Sequence, residues 1–172
     1  MKKEEIKKLA CFYPIVTWEN NPILREISKE VTEFNDELIE FWNALIELMY
    51  YYKGVGLAAP QLGKNIRMIA VSHRKWSGKN KKRISDEVLV NPQIINHSSE
   101  TILFEEACLS LPEKYGLVKR FQTIKVTYND PEWKKYTKTF SWYNAIIIQH
   151  EIDHLDGILF WDKIVKETRI DD

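Results

Sequence analysis

The chain reads as an α+β fold, with antiparallel-rich sheets around a central metal-binding C-terminal helix that carries H-E-x-x-H and an amphipathic helix nearer the N-terminus. Three observations lead there. Apolar residues recur at helical spacing between Asp36 and Tyr52, five short β-branched or aromatic runs follow, and a second helical stretch runs from Tyr143 to Leu155.

Leu38, Trp42, Leu45 and Met49 recur at intervals of three and four, which predicts a helix with one buried face. Asn35 is placed to cap it, and Asp36 and Glu37 suit its positive first turn. Phe34 is expected to staple against Ile39, and Gly54 to take the left-handed position that ends the helix.

The runs Ile66–Ser72, Glu87–Val90, Thr101–Phe104, Thr123–Tyr128 and Tyr136–Trp142 are separated by Asn, Pro, Gly and Asp, which predicts strands and turns. Between Arg74 and Arg83 the segment RKWSGKNKKR carries six basic residues and no acid. It is expected to be a solvated loop, with an RNA-contacting patch as the competing reading. The final helix should end before Gly157.

At 172 residues with 44% hydrophobic and 29% charged, the chain fits one domain spanning residues 1–172. Lys plus Arg and Asp plus Glu are both 25, so no global field draws it to nucleic acid or an anionic membrane. The apolar runs at 44–52 and 145–148 fall well short of the roughly 18 residues a membrane span needs. The N-terminus MKKEEIKKLA mixes acids with lysines and lacks an apolar secretory core, so a cytoplasmic protein is expected. Cys11 and Cys108 make no disulfide framework.

The sharpest chemical signal is His150-Glu151-Ile152-Asp153-His154. At about 100° per residue, His150 and His154 lie about 40° apart around a helix, so both imidazoles can reach one divalent metal. Glu151 lies about 60° from His154, beside the metal without ligating it, where a carboxylate can take a proton from water and pass it to a leaving amine.

A hydrolytic metal normally takes three protein ligands. The extended pattern H-x-x-G-x-x-H is broken, because Phe160 stands where the third histidine would be. Glu167, the downstream carboxylate, sits near the chain end in poor geometry. The third ligand is therefore expected upstream, among Cys11, His73, His97 and Cys108. Helix phase puts Tyr143, Ile146 and Ile147 beside His150 and Glu151, and so beside the metal. Gln61, in Gly54-Val55-Gly56-Leu57-Ala58-Ala59-Pro60-Gln61, could present an amide to a developing oxyanion.

That segment, Glu106-Ala107-Cys108-Leu109-Ser110, and Gln149-His150-Glu151-Ile152-Asp153-His154-Leu155-Asp156-Gly157 occur in this order. Together they resemble the signature of the peptide deformylase family, G-x-G-L-A-A-x-Q, E-G-C-L-S and Q-H-E-x-D-H-L-x-G. Asn21-Pro22-Ile23-Leu24-Arg25 and Leu159-Phe160-Trp161-Asp162 extend the resemblance over most of the chain.

The resemblance implies that Cys108, His150 and His154 bind one divalent metal, Fe²⁺ expected, with Zn²⁺, Ni²⁺ or Co²⁺ as substitutes. It implies Glu151 as general acid and base, with the side chain of Gln61 and the backbone N–H of Leu109 holding the oxyanion. Val55 and Phe104 would line the methionine pocket, and the backbones of Val55, Gly56 and Ala107 would pair with the peptide as an added strand. The implied reaction removes the formyl group from N-formylmethionyl ends of nascent chains and releases formate. Transient ribosome contact is an accompanying expectation; DNA and membrane partners are not expected. Ala107 stands where the signature has Gly, so a negative φ is expected there.

Overall fold

The computed structural model describes residues 3–77 and 80–168. The elements in order are α1 (Lys3–Phe12), α2 (Pro22–Arg25), α3 (Asp36–Tyr51), β1 (Gly56–Ala58), β2 (Met68–Ser77), β3 (Asn80–His97), β4 (Thr101–Cys108), β5 (Leu111–Phe121), β6 (Thr123–Asn129), β7 (Lys135–Ser141), α4 (Tyr143–Leu155) and β8 (Ile164–Thr168). Short 3-10 turns cover Ala59–Leu62 and Phe160–Lys163. The strands form two antiparallel sheets, one ordered β1-β2-β3-β6-β7 and one ordered β4-β5-β8.

α3 starts as expected: the Asn35 side chain accepts the Leu38 N–H at 2.9 Å. Its end differs. Lys53, at φ 62°, takes the left-handed position, while the Lys53 N–H reaches the Tyr50 carbonyl and the Gly54 N–H the Met49 carbonyl. That is a Schellman cap displaced one residue toward the N-terminus. Phe34 packs on Trp42 and Trp133 (ring centroids 6.2 and 5.2 Å), and Ile39 is 43% exposed.

The expected loop Arg74–Arg83 is a β-hairpin outside Gly78 and Lys79, which lie beyond the described residues. Arg74 pairs with Arg83 and Lys75 with Lys82 in continuous register. Ladder pairing with a strongly apolar strand stem carries this polar stretch into strand form, against its composition. β5 and β8 had no clear alternation to announce them, and α1 lies in a charge-rich stretch. Pro92, which lacks an N–H, falls where the β3–β6 register slips.

Strand alternation sets two cores on the larger sheet. Leu57, Met68, Ala70, Val88 and Val90 face α3, whereas Ala58, Ile69, Val71, Leu89 and Val126 face α4. α4 is buried nearly all round, its polar Gln149, Glu151, Asp153 and His154 along with its apolar residues. A third core under the smaller sheet gathers Leu24, Leu111, Val118, Leu159 and Phe160. Gly157 follows the end of α4 at φ 71°, and a Cβ there would lie 2.5 Å from the Arg25 carbonyl oxygen. Both its backbone angle and its close approach call for glycine. Among the described residues no helix is long and apolar enough to cross a membrane.

Candidate active site

α4 carries His150 and His154 one turn apart, and the tip of β4 brings Cys108 to them. The ligand atoms of these three residues lie within 4.8 Å of one another. Cys108 Sγ is 3.2 Å from His154 Nε2. A thiol and two imidazoles at this separation fit one cation with ligand bonds of about 2.0–2.3 Å. Burial by itself would push the Cys108 thiol up, but the charges and hydrogen bonds of His154 and His150 outweigh it and hold it well below the ordinary thiol range.

The other upstream candidates lie away from this cluster. Cys11 is exposed on α1, His73 hydrogen bonds Glu87 at 3.0 Å, and His97 contacts the Ser98 carbonyl and stacks on Phe121.

His150 Nδ1 is 2.7 Å from Glu106 Oε2, which leaves its Nε2 for a cation. Glu106 takes two hydrogen bonds from Arg120, at 2.6 and 2.9 Å, and Arg120 also reaches Asp153, which Lys163 contacts at 2.6 Å. Arg120 is 3% exposed. Burial would push Glu106 up, yet its bonds to Arg120 and His150 hold it at about 2. This buried network joins β4, β5 and α4, so it ties the strand that carries the sulfur to the helix that carries the imidazoles. Sequence reasoning assigned no role to Glu106, Arg120 or Asp153; the Glu106 and Asp153 positions inside the motifs were a signal, but Arg120 had none.

Glu151 packs its carboxylate against β1, and its Oε2 is buried without a hydrogen-bond partner among the described residues. Burial pushes Glu151 up to about 7, against the opposing pull of His150 and His154. A carboxyl poised there can both accept and release a proton near neutral pH.

Gln61 is 2% exposed on the 3-10 turn after β1. Its Oε1 accepts the Ala58 N–H at 2.9 Å, which fixes the amide flip so that Nε2 faces Cys108 Sγ at 3.4 Å and Ser110 Oγ at 3.2 Å. Leu109 and Ser110 form the two-residue turn between β4 and β5.

A cavity of about 550 Å³ opens over these groups. Val55, Gly56, Gln61, Phe104, Ala107, Cys108, Leu109, Tyr143, Ile146, Ile147, His150 and Glu151 all border it. The Phe104 and Tyr143 rings meet at 5.7 Å. β1 and β4 each end their sheet, so the cavity lies where two strand edges come together. Ala107 is not among the positive-φ residues, and its Cβ is accommodated within β4. Lys53, Glu113, Lys114 and Tyr115 also border the cavity. Lys114 is bonded to Glu19 and sits 4.4 Å over the Trp161 ring.

A family model described as polypeptide deformylase matches residues 12–169. A peptide deformylase of Brucella suis is 40% identical over 149 residues, which are 87% of this chain and 83% of the relative. A Met-Ala-Ser-bound class I type b peptide deformylase structure from Acinetobacter baumannii superposes with a TM-score of 0.81 at 34% identity, covering 88% of this chain and 97% of that one. The peptide deformylase of Thermotoga maritima gives a TM-score of 0.76 at 36% identity over 89% and 97% of the two chains.

Proposed function

The chain belongs to the polypeptide deformylase family of enzymes, and from that premise we propose that it is a metal-dependent hydrolase that removes the N-formyl group from the formylmethionyl end of new polypeptides. The observation that carries the reading is the convergence of Cys108, His150 and His154 within 4.8 Å, with the buried Glu151 carboxylate beside them and the cavity above.

Cys108, His150 and His154 would hold a divalent cation, Fe²⁺ by expectation, which would supply Lewis acidity and lower the pKa of the attacking water toward neutrality. Glu151 takes the proton of that water as its oxygen adds to the formyl carbon. The Gln61 amide and the Leu109 N–H hold the resulting oxyanion, whose charge they meet as preorganised donors. Glu151 then gives the proton to the leaving nitrogen, the C–N bond breaks, and formate and a free amine result.

Val55, Phe104, Tyr143, Ile146 and Ile147 receive the unbranched methionine side chain. The backbones of Val55, Gly56 and Ala107 pair with the peptide as an added strand, which orients the formyl group. We further propose that residues 1–172 act as one catalytic domain, in the cytoplasm and in passing contact with the ribosome.

The test is formate release from formyl-Met-Ala-Ser beside unformylated Met-Ala-Ser, on protein purified anaerobically with Fe²⁺, with metal counted per chain. Release from the formylated peptide with one metal per chain is expected. One metal per chain without release would overturn the catalytic reading.

A further inference from the structure

Gln61 can hold an oxyanion only if its amide is kept from turning, and the structure surrounds it with groups that do so. Its Oε1 is occupied by the Ala58 N–H. Its Nε2 carries two hydrogens that diverge by about 120°, one directed to Cys108 Sγ and one to Ser110 Oγ. The sulfur contact is the longer of the two, at 3.4 Å against 3.2 Å. A thiolate that ligates a cation is also the poorer acceptor, so the hydrogen on that side is the one free to turn to substrate.

Ser110 is fully buried, at 0% exposure. Its backbone is held as well as its hydroxyl. The Trp18 N–H donates to the Ser110 carbonyl at 2.9 Å, while the Val16 N–H donates to the Gln61 carbonyl at 2.8 Å. One segment, residues 16–18, thus straps together the two turns that carry Ser110 and Gln61. Trp18 adopts φ 80°, a left-handed conformation that non-glycine residues seldom take.

We propose that Ser110 is the positioning residue of Gln61: its hydroxyl accepts one amide hydrogen and so aims the other at the oxyanion, with the 16–18 strap fixing the distance between the two turns. This rests on the deformylase reading and on the role given there to Gln61.

The test is a double-mutant cycle on the metal-loaded enzyme with formyl-Met-Ala-Ser. Gln61→Ala should lower kcat about 100-fold, as loss of one oxyanion donor does. Ser110→Ala should lower kcat about 10-fold with KM within about twofold and metal stoichiometry unchanged, and in the Gln61→Ala background it should change kcat by less than about twofold. Wild-type kcat in Ser110→Ala, or an equal loss in both backgrounds, would overturn the positioning role alone. Absence of formate release from the wild type, or full kcat in Gln61→Ala, would overturn the parent reading and this one with it.

A measurement on the unaltered protein stands independently of how Ser110→Ala folds. The Gln61 side-chain amide protons, assigned by their loss in Gln61→Ala, should exchange with solvent at least about tenfold more slowly than those of the exposed Gln93. Equal exchange would overturn the proposal.

Discussion

Glu151 lies directly on the backbone of Gly56: a Cβ built on that glycine would sit 2.3 Å from Glu151 Oε1 and 2.8 Å from its Cδ. The glycine therefore decides where the Glu151 carboxylate rests. Gly56→Ala should displace the carboxylate and lower kcat about 100-fold while the metal stays bound. Glu151→Gln should lower kcat by about 10³ or more, again with metal bound. Metal counting alongside steady-state kinetics checks both; wild-type kcat in either variant would contradict the assigned role.

Cys108 supplies the only sulfur among the three converging ligands. Cys108→Ala should lose stoichiometric metal, because two imidazoles alone leave the site short of the three protein ligands a catalytic centre uses. Metal analysis after gel filtration is the measurement. Wild-type stoichiometry would mean that the triad is not the metal site.

Arg120 answers two buried carboxylates, Glu106 and Asp153. Arg120→Met should destabilise the fold by about 3–5 kcal/mol, since it leaves Glu106 buried without its cation. It should also weaken metal binding about 10–100-fold through the loosened His150, as loss of an outer partner does. Chemical denaturation and chelator competition read the two effects separately.

Glu87 sets an acid limit outside the site. Burial would push its carboxyl up, but hydrogen bonds from His73, Lys138 and Tyr128 hold it at about 2 against an ordinary 4.5. Its folded pKa is depressed, so its contribution is fully present above about pH 4.5 and is lost as pH falls toward 2. Glu87→Gln should cost about 1–2 kcal/mol at pH 7, allowing for the solvent that still reaches the group. The variant's stability should also fall less steeply than the wild type's between pH 4.5 and 2. Parallel denaturation curves over that window would contradict this.

Much of the site was legible because its chemistry repeats locally. His150, Glu151 and His154 are fixed relative to one another by helix geometry alone, and the Gln61 and Cys108 segments carry short motifs whose order supports the resemblance. The Asn35 cap and the limits of α4 were also local and were found where expected. The misread parts depended on partners distant in sequence. Arg74–Arg83 became strand through pairing across the hairpin, Lys53 rather than Gly54 took the left-handed turn, and β5 and β8 are defined by each other's edges.

The sequence by itself thus determined the chemical inventory: which groups can ligate, transfer a proton or donate to an oxyanion, and that two of the ligands share one helix face. Only the tertiary structure decided which sulfur joins them, how Arg120 locks Glu106 behind His150, and how Gly56 seats Glu151. Those relationships join residues from 14 to 95 positions apart, counted from Glu106 to Arg120 and from Gly56 to Glu151. Periodicity and capping act within a few residues, whereas burial and long-range pairing are settled only when the sheets and α4 pack together.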